Sequence, residues 1–293
     1  MSETLASIPL LSPFVEFAFM RRALAGCLAL SLGATPVGVF LMLRRMSLAG
    51  DAMSHAILPG AAVGYLIAGL SLPAMTIGGL LAGLAVAVLS GGVARNSVIK
   101  EDTSLATFYL ISLSAGVLII SLRGSSVDLL HVLFGSVLAL DDAALLLLAG
   151  FASLSVLVLA LGLRLFVLEG CDPAFLARIS RLGPLAHYGF MVLLVVNLVA
   201  GFHALGTLMA VGIMILPAAA ARLWVCNVGP LLLIAVSVAL LGSLVGLLLS
   251  YHANLPAGPA IVLTLGSLYL ISLLVAPLGP LAGFWRSGWH FER

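Results

Sequence analysis

The sequence predicts an all-α polytopic membrane protein with eight or nine transmembrane helices, and three observations carry that prediction. Of 293 residues, 62% are hydrophobic and only 8% are charged, against roughly 25% charged in ordinary soluble domains. Thirteen basic and 11 acidic side chains are too few to clothe a water-facing exterior of this size, whereas a lipid-facing exterior should be apolar. The apolar residues fall into runs of about 20, the length that crosses roughly 30 Å of hydrocarbon at 1.5 Å per residue. Those runs are unbroken and do not alternate with period two, so of the two backbones that satisfy themselves in lipid, helix and closed barrel, the helix fits.

Breaks in the apolar pattern place the spans at about 23–43, 53–70, 73–94, 104–122, 142–168, 185–201, 204–224, 229–250 and 258–278. Glycines recur at Gly60/Gly64, Gly78-Gly79/Gly83 and Gly242/Gly246, a spacing that lets helices approach closely in membranes. The whole chain, 1–293, reads as one transmembrane domain. Residues 1–13 lack a basic region followed by an apolar core and a small-residue cleavage site, so the spans themselves are expected to direct insertion.

Polar segments supply the orientation. Arg44-Arg45, Arg95 to Asp102, Arg164 to Arg181, Arg222 and Arg286 hold most of the basic residues, and the positive-inside rule makes those segments cytoplasmic. The stretches near Ser71-Leu72-Pro73, Arg123 to Asp142, Gly201 to Gly206 and Tyr251 to Pro259 then face outside. Arg21-Arg22 conflicts with that scheme, and residues 9–20 are read as an interfacial or additional helix. The three cysteines, Cys27, Cys171 and Cys226, have no metal-ligand spacing and read as small packing residues.

The longest cytoplasmic segment runs from about 169 to 185. Within it Asp172 suits an N-cap and Pro173 the first helical position. Phe175, Leu176 and Ile179 follow at three- and four-residue spacing, an amphipathic stripe outside the membrane. Two readings stand at this point: a helix lying on the membrane surface, or a knob that docks into a soluble partner.

Ionisable groups inside spans are costly and mark functional candidates. The leading pair is Asp51 and His55 in Arg44-Arg45-Met46-Ser47-Leu48-Ala49-Gly50-Asp51-Ala52-Met53-Ser54-His55-Ala56-Ile57-Leu58-Pro59-Gly60. Four residues apart on a helix, they project from one face about one turn apart, and a carboxylate oxygen with an imidazole nitrogen suits a first-row divalent ion. One chain offers two ligands, too few for a closed site; a two-fold dimer would supply two Asp and two His. The competing readings are that Asp51 simply caps the helix after Gly50 and that His55 only hydrogen-bonds a neighbour. Among the other histidines, His131 in Asp128-Leu129-Leu130-His131 is a weak candidate for drawing a cation to an outer entrance. His203 and His252 read as interfacial rings near outer corners, and His187 and His290 as cytoplasmic surface residues.

No enzyme site is expected. The chain has no GxGxxG, no GxxxxGK[ST], no HExxH and no GxSxG, so if transport uses ATP another chain must hydrolyse it.

Several segments, in order, resemble the permeases of zinc and manganese ABC importers, which are distantly similar to siderophore and vitamin B12 permeases. They are Arg21-Arg22-Ala23-Leu24-Ala25-Gly26, Gly38 to Leu48, the Gly50-Asp51-Ala52-Met53-Ser54-His55-Ala56 run through Leu58-Pro59-Gly60, Leu133-Phe134-Gly135-Ser136, Asp172-Pro173-Ala174-Phe175, Leu216 to Leu223 and Leu255 to Leu263. The resemblance implies a type II importer permease in the bacterial cytoplasmic (inner) membrane. It implies a homodimer served by two cytoplasmic ATPase subunits, which bind the ATP, and by an extracytoplasmic metal-binding protein. It implies that Asp172, Pro173, Ala174 and Phe175 belong to the helix that couples to the ATPase, and that Asp51 and His55 contact the ion in the translocation path. No permanent cofactor is implied; the metal is cargo. Zinc is the favoured cargo on Irving–Williams grounds at a mixed N/O site, with manganese or iron as alternatives. A permease for a siderophore or cobalamin chelate and an ion-gradient-driven metal transporter are the competing functions.

Overall fold

The computed structural model describes residues 12–69, 71–122, 140–180 and 182–279. Twelve helices account for nearly all of them: α1 Ser12–Glu16, α2 Ala18–Leu43, α3 Ala49–Ala56, α4 Leu58–Ala68, α5 Leu72–Asn96, α6 Glu101–Leu122, α7 Asp142–Cys171, α8 Pro173–Ile179, α9 Gly183–Leu205, α10 Thr207–Arg222, α11 Val228–Ala253 and α12 Ala257–Val275. Seven of these are long and apolar enough to span a membrane. The shorter α10 and the two-part α3–α4 element complete the nine apolar segments read from the sequence. The segment around 53–70 is not one span but two helices broken at Ile57. The α1 helix lies within 9–20, where an interfacial or additional helix is expected, and α2 already begins at Ala18.

Helix ends follow from local chemistry. Asp141 caps α7 by accepting a hydrogen bond from the Ala144 N–H at 2.8 Å, and Asp172 caps α8 by accepting from Phe175 N–H at 2.9 Å. Proline stands in the first turn of α4, α5, α8 and α9, where its missing N–H costs nothing. Gly206, at φ 88°, turns the chain sharply from α9 into α10, a conformation that disfavours any side chain.

Helices α2 and α9 form the centre, with 67% and 72% of their apolar windows buried, whereas α5, α6, α7 and α12 bury no more than 28% and present their apolar faces outward, as a lipid environment requires. Two close approaches hold the bundle. A Cβ on Gly60 (α4) would collide with the Gly78 carbonyl (α5), and the converse holds at Gly78, so these helices touch backbone to backbone. Where α2 crosses α10, a Cβ on Gly38 would strike the Met214 carbonyl. Pro217 inside α10 has no N–H for the carbonyl of Ile213, four residues back, and Thr35 Oγ of α2 donates to that carbonyl at 3.0 Å. The carbonyl freed by the proline is thus satisfied by a neighbouring helix, as the membrane interior demands.

The segments assigned to the cytoplasm by charge meet at one end of the bundle: Arg44, Arg45, Glu101, Glu169, His187 and Arg222 line one cavity. Arg22, the exception to the positive-inside pattern, pairs with Asp142 at 2.8 Å, and Arg21 donates to the Val15 carbonyl at 2.9 Å. Its charge is offset locally, which is why it is tolerated at the other end.

Candidate metal site and its cytoplasmic surroundings

The α3 helix is short and oddly delimited. It follows a tight turn in which Arg45 takes φ 59°, a left-handed conformation uncommon outside glycine. Leu48 occupies its N-cap without any side-chain cap bond. Asp51 lies inside the first turn and caps nothing, so the simple capping role is not what the structure shows. At the other end α3 stops at Ala56, where the cap N–H groups reach back to the carbonyls of Met53 and His55, and α4 begins with Pro59 in its first turn.

One face of α3 is sealed into the protein: Ala49, Ala52, Met53 and Ala56 are buried, and a Cβ at Gly50 would meet the Met214 side chain at 2.5 Å. The opposite face carries Leu48, Asp51 and His55. Leu48 is 80% exposed, and the Asp51 and His55 side chains are 63% and 29% exposed in the single chain. His55 Nε2 lies 3.8 Å from Asp51 Oδ1. At metal–ligand distances of about 2.2 Å, donors that far apart subtend about 120° at a shared ion, an angle that leaves room for further ligands. His55 Nδ1 is buried and has no hydrogen-bond partner among the described residues. No group of three or more His, Cys, Asp or Glu side chains suited to a metal occurs among the described residues.

Residues 172–179 take the form their sequence predicts, a short helix with Asp172 as its N-cap and Pro173 in its first turn. In α8, Leu176 is buried while Phe175 and Ile179 are exposed, the latter at 69%, so an apolar pair faces away from the bundle. His131 and Leu133 to Ser136 lie outside the described residues, as does His290. His252 Nδ1 lies 2.9 Å from the Leu248 carbonyl, a local contact that accounts for it.

His187 departs from the sequence reading. It is not a surface residue: only 5% of it is exposed, and its Nε2 lies 3.2 Å from Glu101 Oε1, though without the alignment of a hydrogen bond. Around it Arg95 Nη2 approaches Glu169 Oε1 at 3.8 Å and stacks over Tyr188 at 5.3 Å. Arg44 lies 4.2 Å from the Phe190 ring centroid. Burial holds the Arg44 guanidinium below its ordinary range, opposed by the negative charge of Glu169 and Glu101. This cluster joins the ends of α2, α5, α6, α7 and α9 on one side of the bundle, beside the start of α8, around a cavity of about 580 Å³. Its members are dispersed along the chain, so no local motif announced it.

A family model, the ABC 3 transport family, matches residues 16–276. The chain belongs to that family. It is therefore the multi-pass membrane permease of a bacterial ABC transporter of the metal-ion type, a transport subunit. The permease is 36% identical to the manganese import system permease protein ScaB of Streptococcus parasanguinis, over 89% of its own length and 92% of that protein's. It is 32% identical to the manganese transport system membrane protein MntC of Listeria monocytogenes, over 91% of its length and 94% of that protein's. The solved structure of PsaBC from Streptococcus pneumoniae in complex with Fab superimposes with a TM-score of 0.81 at 32% identity, covering 94% of this chain and 99% of the matched one.

Proposed function

We propose that the permease carries Mn²⁺ inward as a homodimer, with Asp51 and His55 of each protomer forming the transient ion site. The observation that carries this reading is the ligand face of α3: Asp51 and His55 one turn apart on its less buried side, Asp51 63% and His55 29% exposed, with donor atoms spaced to share an ion. Two such faces across a two-fold axis would supply two carboxylates and two neutral imidazoles, so the net charge of a divalent ion would be balanced. The cargo is read as manganese because the relatives reported above are named for manganese; intrinsic affinity order, which favours zinc, says little where availability and delivery decide.

In this reading an extracytoplasmic binding protein releases the ion between the protomers. Asp51 and His55 replace part of its hydration shell while the cytoplasmic side is closed. Two ATPase subunits, seated on the exposed Phe175 and Ile179 of α8, close on ATP and shift the pathway. An incomplete ligand set suits a site that must also let go.

Asp51→Ala or His55→Ala should abolish Mn²⁺ uptake while expression and dimerisation persist; unchanged uptake in both variants would remove these residues from the mechanism. Metal-stimulated ATP turnover of the reconstituted importer, compared across Mn²⁺, Zn²⁺ and Fe²⁺, tests the cargo. Manganese should stimulate most, and a larger response to zinc would overturn that assignment.

A further inference from the structure

We propose that Ser112 of α6 is a positioning residue for the Asp51/His55 pair, a proposal that rests on reading that pair as the ion site. Since α3 has eight residues, no side-chain cap and a break at its end, its own hydrogen bonds fix its direction poorly. Something outside it must set the angle at which His55 is presented. Ser112 Oγ donates to the carbonyl of Ala56, the residue after His55, at 2.9 Å. One turn further along α6, a Cβ on Gly116 would meet Pro59 at 3.1 Å. Ser112 and Gly116 therefore grip both sides of the α3–α4 break, the first by a hydrogen bond and the second by close contact.

The direction of that hydrogen bond separates it from routine helix chemistry. Serine and threonine inside helices commonly bond back to the carbonyl four residues earlier, as Thr107, Ser153, Ser237 and Ser267 do here. Ser112 instead reaches a carbonyl 56 residues away in sequence. Ala56 itself is fully buried, so the hydroxyl holds the last turn of α3 from inside the bundle, and with it the line from the His55 backbone to its ring.

A second interhelical serine on the same helix supplies the control. Ser104 Oγ donates to the Ser90 carbonyl at 2.9 Å, a bond of the same kind two turns nearer the cytoplasm and away from α3. If Ser112 positions the pair, loss of its hydroxyl should alter ion affinity, whereas loss of the Ser104 hydroxyl should alter stability alone.

The test is radiolabelled Mn²⁺ uptake by the full importer in proteoliposomes, with Asp51→Ala, Ser112→Ala, Ser112→Thr and Ser104→Ala assayed together. Ser112→Ala should raise the half-saturating Mn²⁺ concentration about three- to tenfold with the maximal rate changed by less than about twofold. Ser112→Thr, which keeps the hydroxyl, and Ser104→Ala should stay within about twofold of the parent. An unchanged half-saturation in Ser112→Ala, or the same rise in Ser104→Ala, overturns the proposal. Failure of Ser112→Ala to assemble also overturns it, because the bond would then be structural, and normal half-saturation in Ser112→Thr would not rescue it. If Asp51→Ala transports normally, the ion-site reading fails and the proposal with it; if Asp51→Ala is dead and Ser112→Ala is normal, only the proposal fails.

Discussion

Replacing Asp172 by alanine tests how the permease meets its ATPase. The Asp172 carboxylate accepts the Phe175 N–H at 2.9 Å and is the N-cap of α8, a helix of seven residues. Losing such a cap costs about 1 kcal/mol, and a helix this short has little other support. At 1.4 kcal/mol per factor of ten, the helix–coil equilibrium constant of α8 should fall about fivefold, and a partner that binds only the helical form should lose up to about fivefold in affinity. Asparagine caps nearly as well, so Asp172→Asn should bind like the parent. The assay is binding of the partner ATPase to the permease in nanodiscs, followed by the ratio of ATP hydrolysed to ion transported. Equal affinity for Asp172→Ala and the parent, or an Asp172→Asn variant as weak as alanine, would refute the reasoning that helix α8 is the docking element.

Two further outcomes concern the scaffold. Thr35→Val removes the donor to the Ile213 carbonyl without changing shape and should cost about 1–2 kcal/mol, read as a lowered unfolding midpoint in nanodiscs; an unchanged midpoint would mean the carbonyl freed by Pro217 needs no external donor. Gly60→Ala forces a Cβ into the Gly78 carbonyl and should destabilise by about 1–3 kcal/mol. Gly150→Ala, where a Cβ meets nothing within 4 Å, should be neutral or stabilising, and equal losses in the two variants would refute the close-approach argument.

What the sequence made legible, and what it did not, divides along the range of the interactions. Composition and run length announced the bundle because lipid imposes them residue by residue. Asp172-Pro173 announced α8 because capping is a matter of three residues. The Asp51/His55 pair was visible because helical spacing alone puts both on one face. The break at Ile57 went unread, although Leu58-Pro59-Gly60 carried its signal: a proline that starts one helix must end another. The charge cluster at the helix ends was illegible for a different reason. Arg44, Arg95, Glu101, Glu169 and His187 each sit near the end of a different span, where a charge is ordinary, and only the packing of five helices brings them together. The positive-inside rule put them at one end of the bundle, where they do line one cavity, but by explaining them singly it hid that His187 is buried.

The claim that binds the account together is that one ion is shared by two protomers. Its most direct measurement is the stoichiometry of Mn²⁺ bound to the purified permease in nanodiscs, by equilibrium dialysis. The account predicts one ion per two chains, lost in Asp51→Ala and in His55→Ala. One ion per chain, or undiminished binding in both variants, would contradict it.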